Sequence, residues 1–255
     1  MDGTDELESM DMVMRLNSVS KDVLPVRAGN ESARDMEDRD IEAHLNLLRD
    51  KILLLGGKTE TAVHNAMEAL LERNSELALE VRANDKVIDQ MELEIDQLSI
   101  GILASQQPEA HDLRLVVSVA KITPILERIA DHATSIAEAA LILNNEPEIN
   151  SYADFSLMAE IAADMLREAL DAFTAEDAEK SREIIRRDKR IDDVYKRVFD
   201  DLIRSMTGNP ETANGAAQLL FVAKHLERIG DYVKDICELN VYLREAVFIK
   251  HSSKN

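Results

Sequence analysis

A chain of 255 residues with 45% hydrophobic content is long enough for one large globular domain or two small ones, and its formal net charge of −20 argues against nucleic acid or anionic lipid as a direct partner. The one cysteine, Cys237, excludes an intrachain disulfide and a Cys-rich zinc site, and reads as a buried reduced thiol. Eight Gly, five Pro and no Trp, in a chain rich in Ala, Leu, Ile, Glu and Arg, point to a mostly helical protein.

Residues 1–35 are polar and irregular, and read as a tail or a short extra helix around Met10, Met12 and Met14. No stretch there has the pattern of a signal peptide, and no apolar run approaches the ~18–20 residues of a membrane span. The chain is therefore expected in the cytoplasm, without membrane insertion. From Asp40 a helical period sets in, with Ile41, Leu45, Leu48, Ile52 and Leu55 on one stripe. Gly56-Gly57 interrupts that stripe, which resumes at Val63 and runs to about Arg73. A second helix carries Leu77, Val81, Ile88, Met91, Ile95, Leu98 and Ile102, and ends at "SQQPEA" with Pro108 as stop signal. A third runs from about Glu109 to Leu143, where Pro124 predicts a kink or a lost backbone bond.

"NNEPEIN" (144–150) is the clearest linker, and the plan repeats after it. Helices are expected from about Tyr152 to Phe173, Ala175 to Met206, and Glu211 to Ile249. The seam Leu126, Ile129, Ala133, Ile136 returns as Leu226, Ile229, Val233, Ile236. No period-2 pattern competes. The expected fold is all-α, two tandem three-helix bundles with an internal pseudo-twofold repeat: a tail over 1–35, a first repeat over 36–146 and a second over 147–255.

The repeat carries acids with it. "ILERIAD" (125–131) returns as "HLERIGD" (225–231), so Glu127 and Asp131 have counterparts in Glu227 and Asp231. Residues four apart on a helix are neighbours, so each pair points one way, and the like charges oppose the helix unless something relieves them. Chance alone yields about ten such pairs in so acidic a chain, so the weight lies in the duplication and in the small residues alongside (Ala120 and Ala130, then Ala223 and Gly230). "DKVID" (85–89) and "DKRID" (188–192) supply a second repeat. Asp85 and Asp188 fall in otherwise apolar stripes, where a carboxylate must be paired, protonated or metal-bound.

If the pairs converge, each half offers four carboxylates to one spot: Asp85, Asp89, Glu127 and Asp131, then Asp188, Asp192, Glu227 and Asp231. Oxygen ligands suit hard cations such as magnesium, manganese or iron. The alternative is that all eight sit on solvated faces beside Arg128, Lys121 or Arg228. No Glu stands three residues before any histidine, which removes the di-iron oxidase pattern. No phosphate loop or H-E-x-x-H is present either. His132 and His225 read as outer ligands or as ordinary packing residues.

The runs "LLLGGKTETAVHNAMEALLERNSELALEV", "DKVIDQMELEI", "SQQPEAHDLRLVVSVAKI", "LERIADHA" and "LLFVAKHLERIGDY", in order over about residues 40–245, resemble the PhoU family of phosphate-uptake regulators. The resemblance implies two three-helix bundles that bind metal, iron or zinc above all, through E(D)xxxD motifs at the eight acids just named. It further implies a non-enzymatic negative regulator of phosphate transport and of the phosphate-starvation response. The partners it implies are the ATPase subunit of the phosphate ABC transporter and the phosphate sensor histidine kinase, and the protein is expected to be a homodimer. The chain departs from the family pattern at Ala130, usually Gly, at Pro124, and at Ser135 and Asp235, where Asn is common. A carboxylate-cluster metalloenzyme and a metal-free helical adaptor remain the alternatives.

Overall fold

The computed structural model describes residues 30–106, 108–147 and 152–249. Two units are distinguished, one up to Asp38 and one from Arg39 onward. In the first, the described residues are helical; the Met10, Met12 and Met14 turn lies outside the described residues.

Among the described residues six α-helices follow one another: α1 (Asn30–Leu71), α2 (Ser75–Ser105), α3 (Ala110–Leu143), α4 (Tyr152–Thr174), α5 (Ala178–Gly208) and α6 (Ala213–Glu245), with one 3-10 turn, Pro210–Thr212, before α6. Among the described residues there is no strand. The fold is all-α, built from two three-helix repeats.

The two repeats share their turns as well as their seams. Between α1 and α2, Arg73 adopts a left-handed φ of 52°, and Asn74 caps α2 by accepting the Leu77 N–H at 3.1 Å. Between α4 and α5, Glu176 has a φ of 49° and Asp177 accepts the Lys180 N–H at 2.9 Å. These equivalent turns set α2 and α5 in the same phase, so Asp85 and Asp188 occupy the same place in each repeat.

Helices α3 and α6 pack antiparallel between the repeats. The Arg114 guanidinium donates to the Leu243 carbonyl at 3.0 Å, and His132 Nδ1 meets His225 Nδ1 at 2.8 Å in the same register. The predicted seams are the core: Leu126, Ile129, Ala133 and Ile136 are buried against Leu226, Ile229, Val233 and Ile236 and the flanking helices. The buried Asn240 ties α6 to the α4–α5 turn, donating to the Ala172 carbonyl and to Ser181 Oγ, both at 2.8 Å.

One sequence expectation changes, at the start of the first helix. Helix α1 begins at Asn30 rather than at Asp40, because the polar segment before the apolar stripe is free of Gly and Pro and propagates a helix already held by its core face. Gly56-Gly57 does not interrupt α1: Gly56 is buried where a Cβ would stand 2.7 Å from Leu170, so it serves close approach to α4. Helix α3 continues through Pro124, which has no N–H to give the ladder, and the neighbouring Thr123 hydroxyl bonds the Val119 carbonyl one turn back at 2.9 Å.

Candidate functional site

Each acidic pair is set by a helix face already fixed by packing. On α3, Ala130 is buried, and Asp131 beside it feels the charges of Asp85 and Asp89 on α2. Asp85 is half-buried and accepts the Thr134 hydroxyl at 3.0 Å, while Asp89 is exposed. The four acids expected in this repeat lie close enough to influence one another's charge. Burial raises the Glu127 carboxyl to about 7, and Asp131, Glu92 and Asp89 add to the rise against the opposing pull of Arg128. Asp131 is raised as well, by burial and then by Asp85 and Asp89, while its hydrogen bond with Glu127 works the other way. Near neutrality, then, the Glu127 carboxyl is about half protonated and can hydrogen-bond Asp131.

Sequence reasoning missed a fifth member, Glu92, whose carboxyl is raised by burial and by Asp96, Asp89 and Asp131. The signal was available: Asp85, Asp89, Glu92 and Asp96 follow a four-three-four spacing and share one face of α2.

The second repeat brings the counterparts together in a different electrostatic setting. Lys234 Nζ donates to Asp188 Oδ2 at 2.7 Å and to Asp231 Oδ1 at 3.0 Å. Lys224 Nζ reaches Glu227 at 2.5 Å, and Arg228 lies 3.5 Å from Asp231. Burial works against the Lys234 charge, but the bonds to Asp188 and Asp231 outweigh it and hold its pKa above the ordinary lysine value. Asp192 is raised by burial and by Asp188, Glu227 and Asp231, with Lys234 opposing. Gly230 allows the close approach of α5, since a Cβ there would lie 2.7 Å from Ile191 and 3.3 Å from Asp188.

Between the clusters, His132 and His225 contact each other, and Tyr232 stacks on His132 with ring centroids 5.6 Å apart. Burial, the neighbouring His225 and Arg228 push His132 down to about 4, and burial lowers His225 also. Both rings are therefore neutral near pH 7, and one donates its Nδ1 proton to the other. These histidines pack the repeat interface. Burial pushes the Cys237 thiol up to about 12, in keeping with an inert core residue.

Could these acids hold a metal? As the side chains stand, no three His, Cys, Asp or Glu residues among those described are arranged around a single point. The donor chemistry nonetheless differs between the repeats. Among the described residues no ammonium bonds the oxygen ligands of the first, and a cation there would compete with the raised proton affinity of Glu127 while relieving the mutual repulsion. That set has the donor chemistry of a hard divalent or trivalent cation. The second is already engaged by lysine and does not fit.

Two antiparallel-packed helical repeats with acidic clusters against their central helices define a duplicated helical-bundle protein. The family profile described as "PhoU domain" matches residues 52–140 and again 155–239. A phosphate-specific transport system accessory protein PhoU homolog from Pseudomonas putida is 37% identical over 222 residues, 87% of each chain. A homolog of the same description from Clostridium acetobutylicum is 35% identical, over 82% of this chain and 95% of that one. The crystal structure of PhoU from Pseudomonas aeruginosa superposes with a TM-score of 0.79 at 36% identity, covering 81% of this chain and 99% of that one. The chain belongs to the PhoU family.

Proposed function

We propose that this chain is a non-enzymatic accessory regulator of a phosphate-transport system, lowering uptake and restraining the phosphate-starvation response. The observation that carries the reading is kinship across both repeats: a relative named as an accessory protein of phosphate-specific transport aligns with 87% of the chain. The partners proposed are the transporter's ATPase subunit and the phosphate sensor histidine kinase, met in the cytoplasm by a homodimer. No helix among the described residues is long and apolar enough to cross a membrane.

Metal, with iron, zinc, magnesium and manganese as the candidates, is assigned to Asp85, Asp89, Glu127 and Asp131. The mutual repulsion of these acids and the absence of a lysine among them support that assignment. Asp188, Asp192, Glu227 and Asp231 belong to the same motif but are engaged by cationic side chains. When bound, the metal would neutralise the first cluster and clamp α2 to α3.

The test is phosphate uptake in cells lacking the protein and in cells complemented with it. Uptake should rise on loss and return on complementation, and only where the transporter is present. Unchanged uptake would sink the regulatory reading. Elemental analysis of wild type and of Asp131→Ala separately tests the metal.

A further inference from the structure

Equivalent positions on α3 and α6 carry Thr134 and Lys234, and both side chains bond the aspartate that enters from the neighbouring helix. Thr134 gives Asp85 a neutral hydroxyl at 3.0 Å. Lys234 gives Asp188 an ammonium at 2.7 Å and holds Asp231 at 3.0 Å. Resting on the metal reading of the first cluster, the geometry points to Lys234 as a tethered cation that fills the second cluster in place of a metal ion. Metal loading then belongs to the first repeat alone.

The surroundings agree. The Asp188 side chain is only 14% exposed and the Lys234 side chain 30%, so the pair is shielded from bulk water and weakly screened. Lys224 covers Glu227, while Pro124 stands at the equivalent place in the first repeat and supplies no charge. Conversely, Glu92 and Asp96 stand where the second repeat has Tyr195 and Phe199, whose rings pack 6.2 Å apart. Arg128 and Arg228 are common to both. The negative excess therefore concentrates in the first cluster.

A divalent ion entering the second cluster would have to displace an ammonium held at high effective concentration by its own helix. It would also leave that ammonium beside another positive charge. Gly230 contributes by letting α5 approach until Asp188 lies within reach of Lys234.

The experiment is calorimetric titration of the chelator-treated full-length chain with Mn²⁺, with elemental analysis after desalting and circular dichroism to verify folding. In wild type, metal should bind through the first repeat only: abolished by Asp131→Asn, unaffected by Asp188→Asn. Lys234→Thr should add a second binding event at least tenfold tighter than any residual second-repeat binding, and Asp231→Asn in that background should remove it. The reciprocal Thr134→Lys should weaken the first site at least tenfold, and decides the matter if Lys234→Thr fails to fold.

Wild-type metal lost in Asp188→Asn, a folded Lys234→Thr that gains no metal, or a Thr134→Lys that keeps its metal would each overturn the inference. If wild type binds none while Lys234→Thr binds, the metal reading of the first repeat falls and the assignment of Lys234 stands. If wild type binds through the first repeat and Lys234→Thr gains nothing, the assignment falls and the reading stands.

Discussion

Glu127→Gln separates electrostatic strain in the first cluster from simple packing. The folded chain raises the Glu127 carboxyl from 4.5 to about 7, through burial first and then through Asp131, Glu92 and Asp89. Because the folded value lies above the unfolded one, the favourable contribution is complete below 4.5 and is lost as pH rises through about 7. That displacement corresponds to about 3 kcal/mol at full value. Glu127 is only half-buried, and water and Arg128 screen it, so about 1 kcal/mol is the working figure. Glutamine keeps a donor for Asp131 and never ionises. In chelator, urea denaturation at about pH 5 should find variant and wild type alike, and at about pH 8.5 the variant should be the more stable by about 1 kcal/mol. Saturating Mn²⁺ should reverse the order by stabilising wild type more. A variant less stable than wild type at the higher pH, or offset equally at both, would refute the reasoning.

Three further outcomes are expected from the packing. Gly57→Ala, at an exposed helical site with nothing near the added Cβ, should stabilise the protein by about 1 kcal/mol. Gly56→Ala should give no such gain, since its Cβ would crowd Leu170, and paired denaturation curves read the contrast. Asn240→Ala should cost about 2 kcal/mol in urea titration, because it removes the donor that serves Ala172 and Ser181 and leaves a void. Glu168 is pulled down to about 2 by its hydrogen bonds to Arg187 and Lys180. Its stabilisation is present above 4.5 and lost as pH falls through about 2, so Glu168→Gln should cost about 1 kcal/mol near neutrality after screening and nothing near the lower pH.

What the sequence made legible was periodic. Leu126, Ile129, Ala133 and Ile136 return on the second repeat with unchanged spacing, and a buried stripe has that signature whatever packs on it. Helix ends were harder, because caps and propensity, not the stripe, decide where a helix stops. Asn74 and Asp177 cap α2 and α5, though neither lies on an apolar seam. The candidate site was half legible for a related reason. Spacing shows which acids share a face of one helix, but not which cation reaches them from elsewhere. Asp85 and Asp188 read identically, as carboxylates in apolar stripes that need a partner. One finds a hydroxyl and the other an ammonium, because a single position on the next helix holds Thr134 in one repeat and Lys234 in the other. A duplicated motif therefore carries its geometry faithfully and its chemistry only as far as its neighbours allow. The fourth residue of "DYVK" deserves the same weight as the acids themselves, since one methylene chain ending in an ammonium is enough to turn a prospective ligand set into a salt bridge.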